Sequence, residues 1–407
     1  MSSNGDILGI YKRLVKLRET KKIANDRLRL LIRLTFDVMN FPPVKLCIFY
    51  VFCQYGFATS LTIYHLLDKF DQQTLMKHGS FCGIQIFVLI NLGSIVFMAD
   101  AFYEYLQNYK KGLIPLELLN ENTLKQIVLL GNITKLICTV NMVLATAAAL
   151  GFIAAPEYFN EKTYLSVWIQ EQFPNYSNFM LPVVHWTSLP VALVMAGSSV
   201  AWAYAGMNAI FQIQILKEMI NTVPKTTLPQ KLRRDSQLYQ AIVRQKLIIC
   251  VMAHGIMVRF QNIACELLEP PLMMFSMGSV ILGGSLMLEY LSNQEQNLGD
   301  QYAMYIGILC FALAGMISAV LYLIIGQAVK DESEGCNYLL RQLPWYDMNQ
   351  ENRKIFSIFL LKTEKPIALA NSLVQVDYFL LMRICKALYS LAAVLAQFVA
   401  SNRIAEK

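Results

Sequence analysis

The sequence predicts an all-α polytopic membrane protein with seven transmembrane helices, and three observations support this fold class. The 407 residues are 56% hydrophobic and only 15% charged, which is too apolar for a soluble enzyme of this size. Seven apolar runs are each about 20 residues or longer, enough to cross a hydrocarbon core about 30 Å thick. Lys and Arg are concentrated in alternate segments between these runs, as in multi-pass membrane proteins.

The apolar runs predict where the helices cross the membrane. They lie near residues 46–67, 80–100, 130–154, 181–213, 268–290, 302–328 and 378–400. The fourth run is longer than a bilayer requires, and the fifth extends backwards through a helical pattern over 238–267. We expect helices four to seven to extend into the cytosol and pack there as an anchor region. Glu269-Pro270-Pro271 predicts a kink in the fifth helix at the membrane boundary, because proline disrupts the preceding turn.

The distribution of basic residues predicts the orientation. Of the 35 Lys and Arg, 27 fall in the N-terminal segment and every second segment after it, 5 in the other segments and three inside the runs. The positive-inside rule therefore puts the N-terminus in the cytosol and the C-terminus outside. Asn175, in the sequon Asn175-Tyr176-Ser177 on the predicted outer side, is a candidate glycosylation site. The sequon Asn132-Ile133-Thr134 lies inside the third run and is expected to be silent.

These predictions divide the chain into four parts. Residues 1–45 are basic, with leucines three or four positions apart, and this pattern predicts a cytosolic amphipathic helix on the inner leaflet. Residues 46–336 hold transmembrane helices one to six. Residues 337–374 form a cytosolic anchor segment, and residues 375–407 hold the seventh helix with a short extracellular tail.

Several classes of protein are disfavoured. A G-protein-coupled receptor has its N-terminus outside, and neither an Asp-Arg-Tyr nor an Asn-Pro-x-x-Tyr motif stands at the expected places. The sequence has no Walker loop, H-E-x-x-H or nucleophile elbow, so we expect no enzyme. The nine cysteines form no C-x-x-C pair, so neither a metal site nor another cofactor is expected. The net charge of +7 comes from the predicted cytosolic segments and indicates contact with membrane lipid, not with nucleic acid.

The last apolar run has two interpretations. Val394 and Phe398 are four residues apart and share one helix face, with Gln397 beside them. Several copies around an axis would form an apolar constriction with an amide rim, which can gate ions by dewetting. The run can equally be an ordinary last transmembrane helix whose Gln bonds a neighbour, and this stretch alone favours that simpler interpretation.

The C-terminal part of the chain carries four short motifs: Pro344-Trp345-Tyr346, Asn352-Arg353-Lys354, Thr363-Glu364-Lys365-Pro366, and Lys386 with Tyr389-Ser390. Their order resembles that of the W-Y, R-K, S-Q-K-P and K-T-S-Y-S signatures of the insect odorant receptors, closely over residues 340–400. The rest of the chain resembles that family in topology and span lengths. In two places the sequence departs from the family: Glu364 stands where Gln is usual, and the Gly of the T-A-G motif is absent from Leu369-Ala370-Asn371.

The related gustatory receptors are the nearest alternative. They carry T-Y, five apolar residues and Q-F, and here Ser390-Leu391 replace T-Y while Gln397-Phe398 remain. Trp345-Tyr346 favours the odorant receptors. A seven-span transporter or metabotropic receptor is a further alternative, but Lys135, Glu266 and Glu269 lie towards the cytosolic ends and form no proton relay.

The resemblance implies a function. Such receptors are subunits of tetrameric, ligand-gated, non-selective cation channels, in which an odour-tuning subunit joins an obligate co-receptor in the plasma membrane of sensory dendrites. The connection over 214–237 is short, unlike the long insertion of the co-receptor, and this implies a tuning subunit. The resemblance also implies that the last helix lines the pore, with Val394, Gln397 and Phe398 at the gate.

The resemblance places the ligand site in the outer halves of helices two, three, four and six. The candidate residues there are Phe87, Asn91, Met142, Thr146, His185, Trp186, Leu189, Tyr302 and Tyr305. Aromatic and thioether side chains with few polar groups suit a small apolar volatile, bound by burial and shape. Each residue taken alone fits ordinary helix packing better, and His185 fits a hydrogen-bonded residue at a helix end better than a pH sensor or metal ligand.

Overall fold

The structure is a computed structural model that describes residues 38–39, 41–69, 72–112, 121–225, 229–293, 302–369 and 375–405. Most of the predicted amphipathic segment 1–45 lies outside these residues. Within some helices the side chains are not described either, and that of Phe398 is among them. The described part folds into twelve α-helices and one 3-10 turn, which confirms the predicted all-α class.

The α-helices in chain order are α1 (Pro42–Asp68), α2 (Gln72–Gly112), α3 (Glu121–Ala154), α4 (Pro156–Lys162), α5 (Tyr164–Gln172), α6 (Ser177–Trp186), α7 (Ser188–Thr222), α8 (Gln230–Arg233), α9 (Gln237–Asn293), α10 (Tyr302–Arg341), α11 (Gln350–Glu364) and α12 (Tyr378–Ala405). Seven stretches of the described residues are long and apolar enough to cross a membrane, which confirms the predicted number. They lie in α1, α2, α3, α6 with α7, α9, α10 and α12.

Local sequence explains where several helices begin. Proline at the first turn of α1 suits a position whose N–H has no partner within the helix. Asn349 caps α11, because its Oδ1 accepts a hydrogen bond of 2.9 Å from the N–H of Asn352. Asp377 caps α12 in the same way, accepting from the N–H groups of Phe379 and Leu380 at 3.0 and 3.2 Å.

The predicted fifth span and its extension form one helix. α9 has 57 residues and continues through Pro270-Pro271. Its C-terminal part packs among the other spans, since Gly278 lies against Phe87 of α2 and Gly283 against Leu388 of α12. Among the described residues, the stretch of α9 that counts as a candidate span is its N-terminal part, Gln237–Leu267, which the sequence predicted as the extension; Gly278–Glu289, inside the predicted span 268–290, is a shorter apolar stretch.

The largest hydrophobic core lies at one end of the molecule. It combines the C-terminal halves of α7 and α10 with the N-terminal half of α9 and with α11, and its fully buried side chains include Trp202, Leu216, Leu247, Leu340 and Phe359. The 40 residues of α10 measure about 60 Å, twice the thickness of a hydrocarbon core. The excess length of helices four to seven therefore packs as a bundle, while its cytosolic location stays a prediction.

The C-terminal sequence motifs stabilise this bundle. The Asn352 Nδ2 donates to the side-chain and main-chain oxygens of Gln240 at 2.8 and 2.9 Å. Gln240 in turn donates to the carbonyl oxygen of Asp347 at 2.8 Å. Thr363 accepts a bond of 3.0 Å from Asn337 of α10. These buried bonds join α9 and α10 to the segment that carries the motifs.

Candidate functional site

A cavity of about 500 Å³ lies between the spans. Every spanning helix contributes to its wall, and α4 and the start of α5 also line it. Representative wall residues are Tyr55, Val88, Ala145, Phe159, Ala192, Leu282, Phe311 and Leu388. Most of the wall is apolar, and none of the described residues that line it is charged. Such a space suits an uncharged apolar molecule.

Small residues allow the helices around the cavity to approach closely. The backbones of α3 and α10 nearly touch, since a Cβ atom on Gly151 would lie 2.5 Å from the Cα of Gly307. Nearby, alanines of α3, α7 and α10 pack together: Ala145, Ala149, Ala192, Ala196 and Ala314. Helices in membranes associate closely where such small residues face one another. The aromatic rings of Phe81, Phe152 and Phe159 fill the neighbouring end of the wall.

Two groups of polar side chains interrupt the apolar wall. In the first, Asn141 and Ser199 both donate to the hydroxyl oxygen of Ser318, at 3.0 and 2.9 Å. In the second, the Gln54 amide nitrogen donates to the hydroxyl oxygen of Thr187 at 3.0 Å. His185 lies two residues before Thr187, at the C-terminal end of α6.

One atom in each of four wall residues has no hydrogen-bond partner in the described structure: Asn141 Oδ1, Gln54 Oε1, Ser166 Oγ and His185 Nε2. An unsatisfied buried polar group costs about 1–3 kcal/mol, so its presence in a cavity wall favours a ligand-binding role.

Three of the nine predicted ligand residues line the cavity: Phe87, Asn91 and His185. The ring of Phe87 lies over Gly278 of α9, where a Cβ atom would approach it to 2.6 Å. The amide nitrogen of Asn91 donates to the main-chain oxygen of Phe87 at 2.9 Å, within its own helix. The structure therefore brings these residues of α2 and α6 to one wall.

The other six predicted residues do not line this cavity. Thr146 donates to the main-chain oxygen of Met142 at 2.8 Å, and both residues are a third of a turn away from the lining residues Asn141 and Ala145. Leu189 packs against the alanine cluster.

The remaining three do not line the cavity either. Tyr305 packs beside Phe81 and Tyr158, whereas Trp186 and Tyr302 are 57% and 69% exposed. Ligand contact by these three residues, like that by Met142, Thr146 and Leu189, stays a prediction.

Sequence reasoning missed the principal polar residues of the wall: Gln54, Asn141, Ser199 and Ser318. A signal was present, because each is a polar residue inside an apolar run. It was hard to use, since Ser and Asn inside a span also bond to their own helix, as Ser94 does to the main-chain oxygen of Ile90.

The last helix, α12, has one face on the cavity. Ile384, Cys385 and Leu388 line it, and Leu388 and Leu391 contact the glycines of α9. Val394 is 60% exposed and Gln397 is exposed, while the side chain of Phe398 lies outside the described part. Only 11% of the spanning window of α12 is buried, against at least 28% for each of the other six. Most of this helix is therefore uncovered in one chain.

A buried ionic cluster joins the α3–α6 connection to the spans. Glu289 of α9 accepts a hydrogen bond of 2.5 Å from Ser80 of α2 and another from the hydroxyl of Tyr158. The Lys162 ammonium lies 3.7 Å from the same carboxylate. Burial lowers the pKa of Lys162 to about 8; the charge of Lys77 lowers it further, and the Glu161 carboxylate opposes both effects. The main-chain oxygen of Lys162 also bonds the ring of His78 at 2.8 Å.

Asn175 lies in the exposed turn between α5 and α6. Its glycosylation stays a prediction.

Seven spanning helices around an uncharged apolar cavity define a multi-pass membrane protein suited to enclosing a small molecule. The sequence model of the family described as 7tm Odorant receptor matches residues 72–389, and the chain belongs to this family. This confirms the resemblance drawn from the C-terminal motifs. No curated protein sequence matches the chain.

Solved structures show the same fold. The chain is similar to the insect olfactory receptor OR5 from Machilis hrabei, with a TM-score of 0.63 and 11% sequence identity, covering 95% of this chain and 99% of that one. The structure of the same receptor in complex with eugenol gives a TM-score of 0.64 at the same identity and coverage. The protein is therefore an odorant receptor with the architecture of these insect receptors.

Proposed function

We propose that the chain is the odorant-binding tuning subunit of a heteromeric, odorant-gated, non-selective cation channel that acts with an obligate co-receptor. The observation that carries this proposal is the apolar cavity between the spans, whose wall includes one face of α12. A molecule bound there would contact the helix that we assign to the pore. The channel would work with its N-terminus in the cytosol, in the dendritic plasma membrane of olfactory neurons.

The cavity supports a small volatile as the ligand. Its volume of about 500 Å³ lies in the range of about 300–1,000 Å³ that is usual for small-molecule sites. The complex of Machilis hrabei OR5 with eugenol supports a ligand of similar size. Affinity would come mainly from burial of apolar surface, with orientation set by the few polar groups of the wall.

Gating needs an element that touches both the ligand and the pore. Leu388 of α12 lines the cavity and also packs on Gly283 of α9, whose neighbour Leu282 is a wall residue. A ligand shifts a conformational equilibrium only by its difference in affinity for the two states. We propose that the volatile favours the state in which α12 moves away from the pore axis, with α9 carrying the movement.

Assembly is supported by the surfaces that one chain leaves uncovered. The side of α12 that carries Val394 and Gln397 is exposed, and Trp345 and Tyr346 are exposed on the bundle. We propose that four subunits meet along these surfaces, that the bundles form a shared anchor, and that Val394, Gln397 and Phe398 form the gate.

The test is expression with and without an odorant co-receptor, with currents recorded against a panel of volatiles that includes eugenol. We expect volatile-evoked cation currents that require the co-receptor and persist in excised patches without GTP. Currents that are undiminished without the co-receptor would favour a gustatory-type channel. A response that needs G proteins and brings no conductance of its own would favour a metabotropic receptor.

A further inference from the structure

We propose that the cavity takes volatiles that carry a hydroxyl group, namely alcohols and phenols, and that Asn141 accepts the hydrogen bond of that hydroxyl. The inference rests on the proposed function in one respect, since it takes this cavity as the odorant site. It adds a chemical class of ligand and the residue that selects it.

Asn141 is held in place by two other helices. It belongs to α3, and its amide nitrogen donates to Ser318 of α10 at 3.0 Å. Ser318 also accepts from Ser199 of α7 at 2.9 Å, so the three side chains join three helices at the cavity wall. Asn141 is only 1% exposed, and its Oδ1 has no partner among the described groups. The amide is thus fixed at its nitrogen end and unsatisfied at its oxygen end.

The unsatisfied atom specifies what the ligand must supply. An amide oxygen is an acceptor, so it needs a donor from the ligand. A charged ammonium donor is disfavoured, because none of the described wall residues carries the negative charge that would compensate its transfer from water. Ethers, esters and ketones bring only acceptors and would leave the Asn141 oxygen unpaired. A neutral hydroxyl on an apolar skeleton satisfies both conditions.

Three other wall residues are rivals, since each also has an unpartnered atom: Ser166, Gln54 and His185. Ser166 is as buried as Asn141, but its hydroxyl can donate as well as accept, so it would pair with an ether as well as with an alcohol. Gln54 and His185 belong to the second polar group of the wall. They lie near Ser188 at the start of α7, which is 11 residues and therefore about 16 Å along the helix from Ser199. Both are less buried than Asn141. The fixed and fully buried amide is the better selector, because a preorganised group loses less freedom when the ligand binds.

The experiment measures binding to the purified full chain in detergent by the ligand-induced shift of its thermal unfolding midpoint. The probes are matched pairs: 2-phenylethanol with its methyl ether, and 1-octanol with its methyl ether. We expect each alcohol to bind about tenfold more tightly than its ether, the effect of one buried hydrogen bond. Asn141→Leu should remove this preference while the ethers still bind. Affinities are taken from free probe concentrations, corrected for partition into detergent.

Asn208→Leu is the matched control, since it removes an amide of α7 that bonds within its own helix and does not line the cavity, and it should retain the preference for alcohols. Gln54→Leu tests the rival wall amide and should retain the preference as well. Equal binding of alcohol and ether by the unaltered chain would overturn the proposal. This test needs no variant, so it can be made even if Asn141→Leu does not fold. A preference that survives Asn141→Leu, or disappears in Gln54→Leu, would also overturn it, as would a panel in which no alcohol or phenol binds.

Current recordings on the same probes separate this inference from the proposed function. A tenfold preference in binding with no evoked current would leave the inference standing and count against the channel. Evoked currents with equal potency for alcohols and ethers would support the channel and count against the preference for alcohols.

Discussion

The contact between Gly151 and Gly307 offers a direct test of how the cavity wall is held together. A Cβ atom at residue 151 would lie 2.5 Å from the Cα and 3.0 Å from the amide nitrogen of Gly307. Both are backbone atoms, so no change of rotamer can relieve the contact. In Gly151→Ala, α3 and α10 must separate by about 1 Å to restore an ordinary carbon–carbon distance.

Two opposing effects set the expected magnitude. Overpacking of this kind costs about 1–3 kcal/mol, whereas replacing glycine by alanine inside a helix gains about 0.5–1 kcal/mol. We therefore expect Gly151→Ala to lose roughly 1–2 kcal/mol of stability. Gly255→Ala is the matched control, because a Cβ atom there would meet no atom within 4 Å. That variant should gain the helix propensity alone.

Thermal unfolding of the two purified variants beside the unaltered chain measures the difference. We expect the midpoint to fall in Gly151→Ala and to rise slightly in Gly255→Ala. The preference for alcohols should weaken in Gly151→Ala, because the bond between Asn141 and Ser318 joins the same two helices. Equal midpoints for the two alanine variants would show that the helices are not in close contact at Gly151.

The remaining predictions concern the ionic cluster, the bundle and the pore. Glu289→Ala should destabilise the protein by about 3–5 kcal/mol in thermal unfolding, because it removes the carboxylate that faces the buried Lys162. Glu289→Leu with Lys162→Leu should recover much of that loss, and failure to recover any would contradict the pairing. Asn352→Leu should cost about 1–3 kcal/mol of stability, because it leaves Gln240 without its hydrogen-bond partner, and should reduce the amount of receptor labelled at the cell surface. Cell-surface labelling equal to that of the unaltered chain would refute this. Val394→Ala with Phe398→Ala should raise the unstimulated current, and an unchanged leak would count against the gate.

Sequence reasoning found the spans because their signal is one of composition. Any stretch of about 20 apolar residues can be recognised as a span from its length and hydrophobicity, whichever of its faces meets lipid. The bundle could be predicted as well, since α10 is far longer than a membrane is thick. The hydrogen bonds of Asn352 to Gln240 could not, because they join residues 112 positions apart.

The candidate site was harder to predict because an apolar helix does not reveal its rotation. On α3 the prediction selected Met142 and Thr146, while the cavity is lined by the adjacent face of Asn141 and Ala145. A helix that is apolar on all sides carries no periodic pattern by which to choose between these faces. On α2 the selected face, with Phe87 and Asn91, is the lining one.

The uneven burial of the spans bears on how a weak ligand would open the proposed channel. A small volatile that buries apolar surface gains a few kcal/mol at most in differential binding, so it can move only an element whose two positions differ by a similar amount. α12 is the span least embedded in its own chain, with 11% of its window buried, and it also lines the cavity. Three other wall helices, α3, α7 and α10, are held together by the glycine contact of α3 with α10 and by the hydrogen bonds of Ser318. Ligand energy would therefore act on α12 before it deforms the rest of the wall.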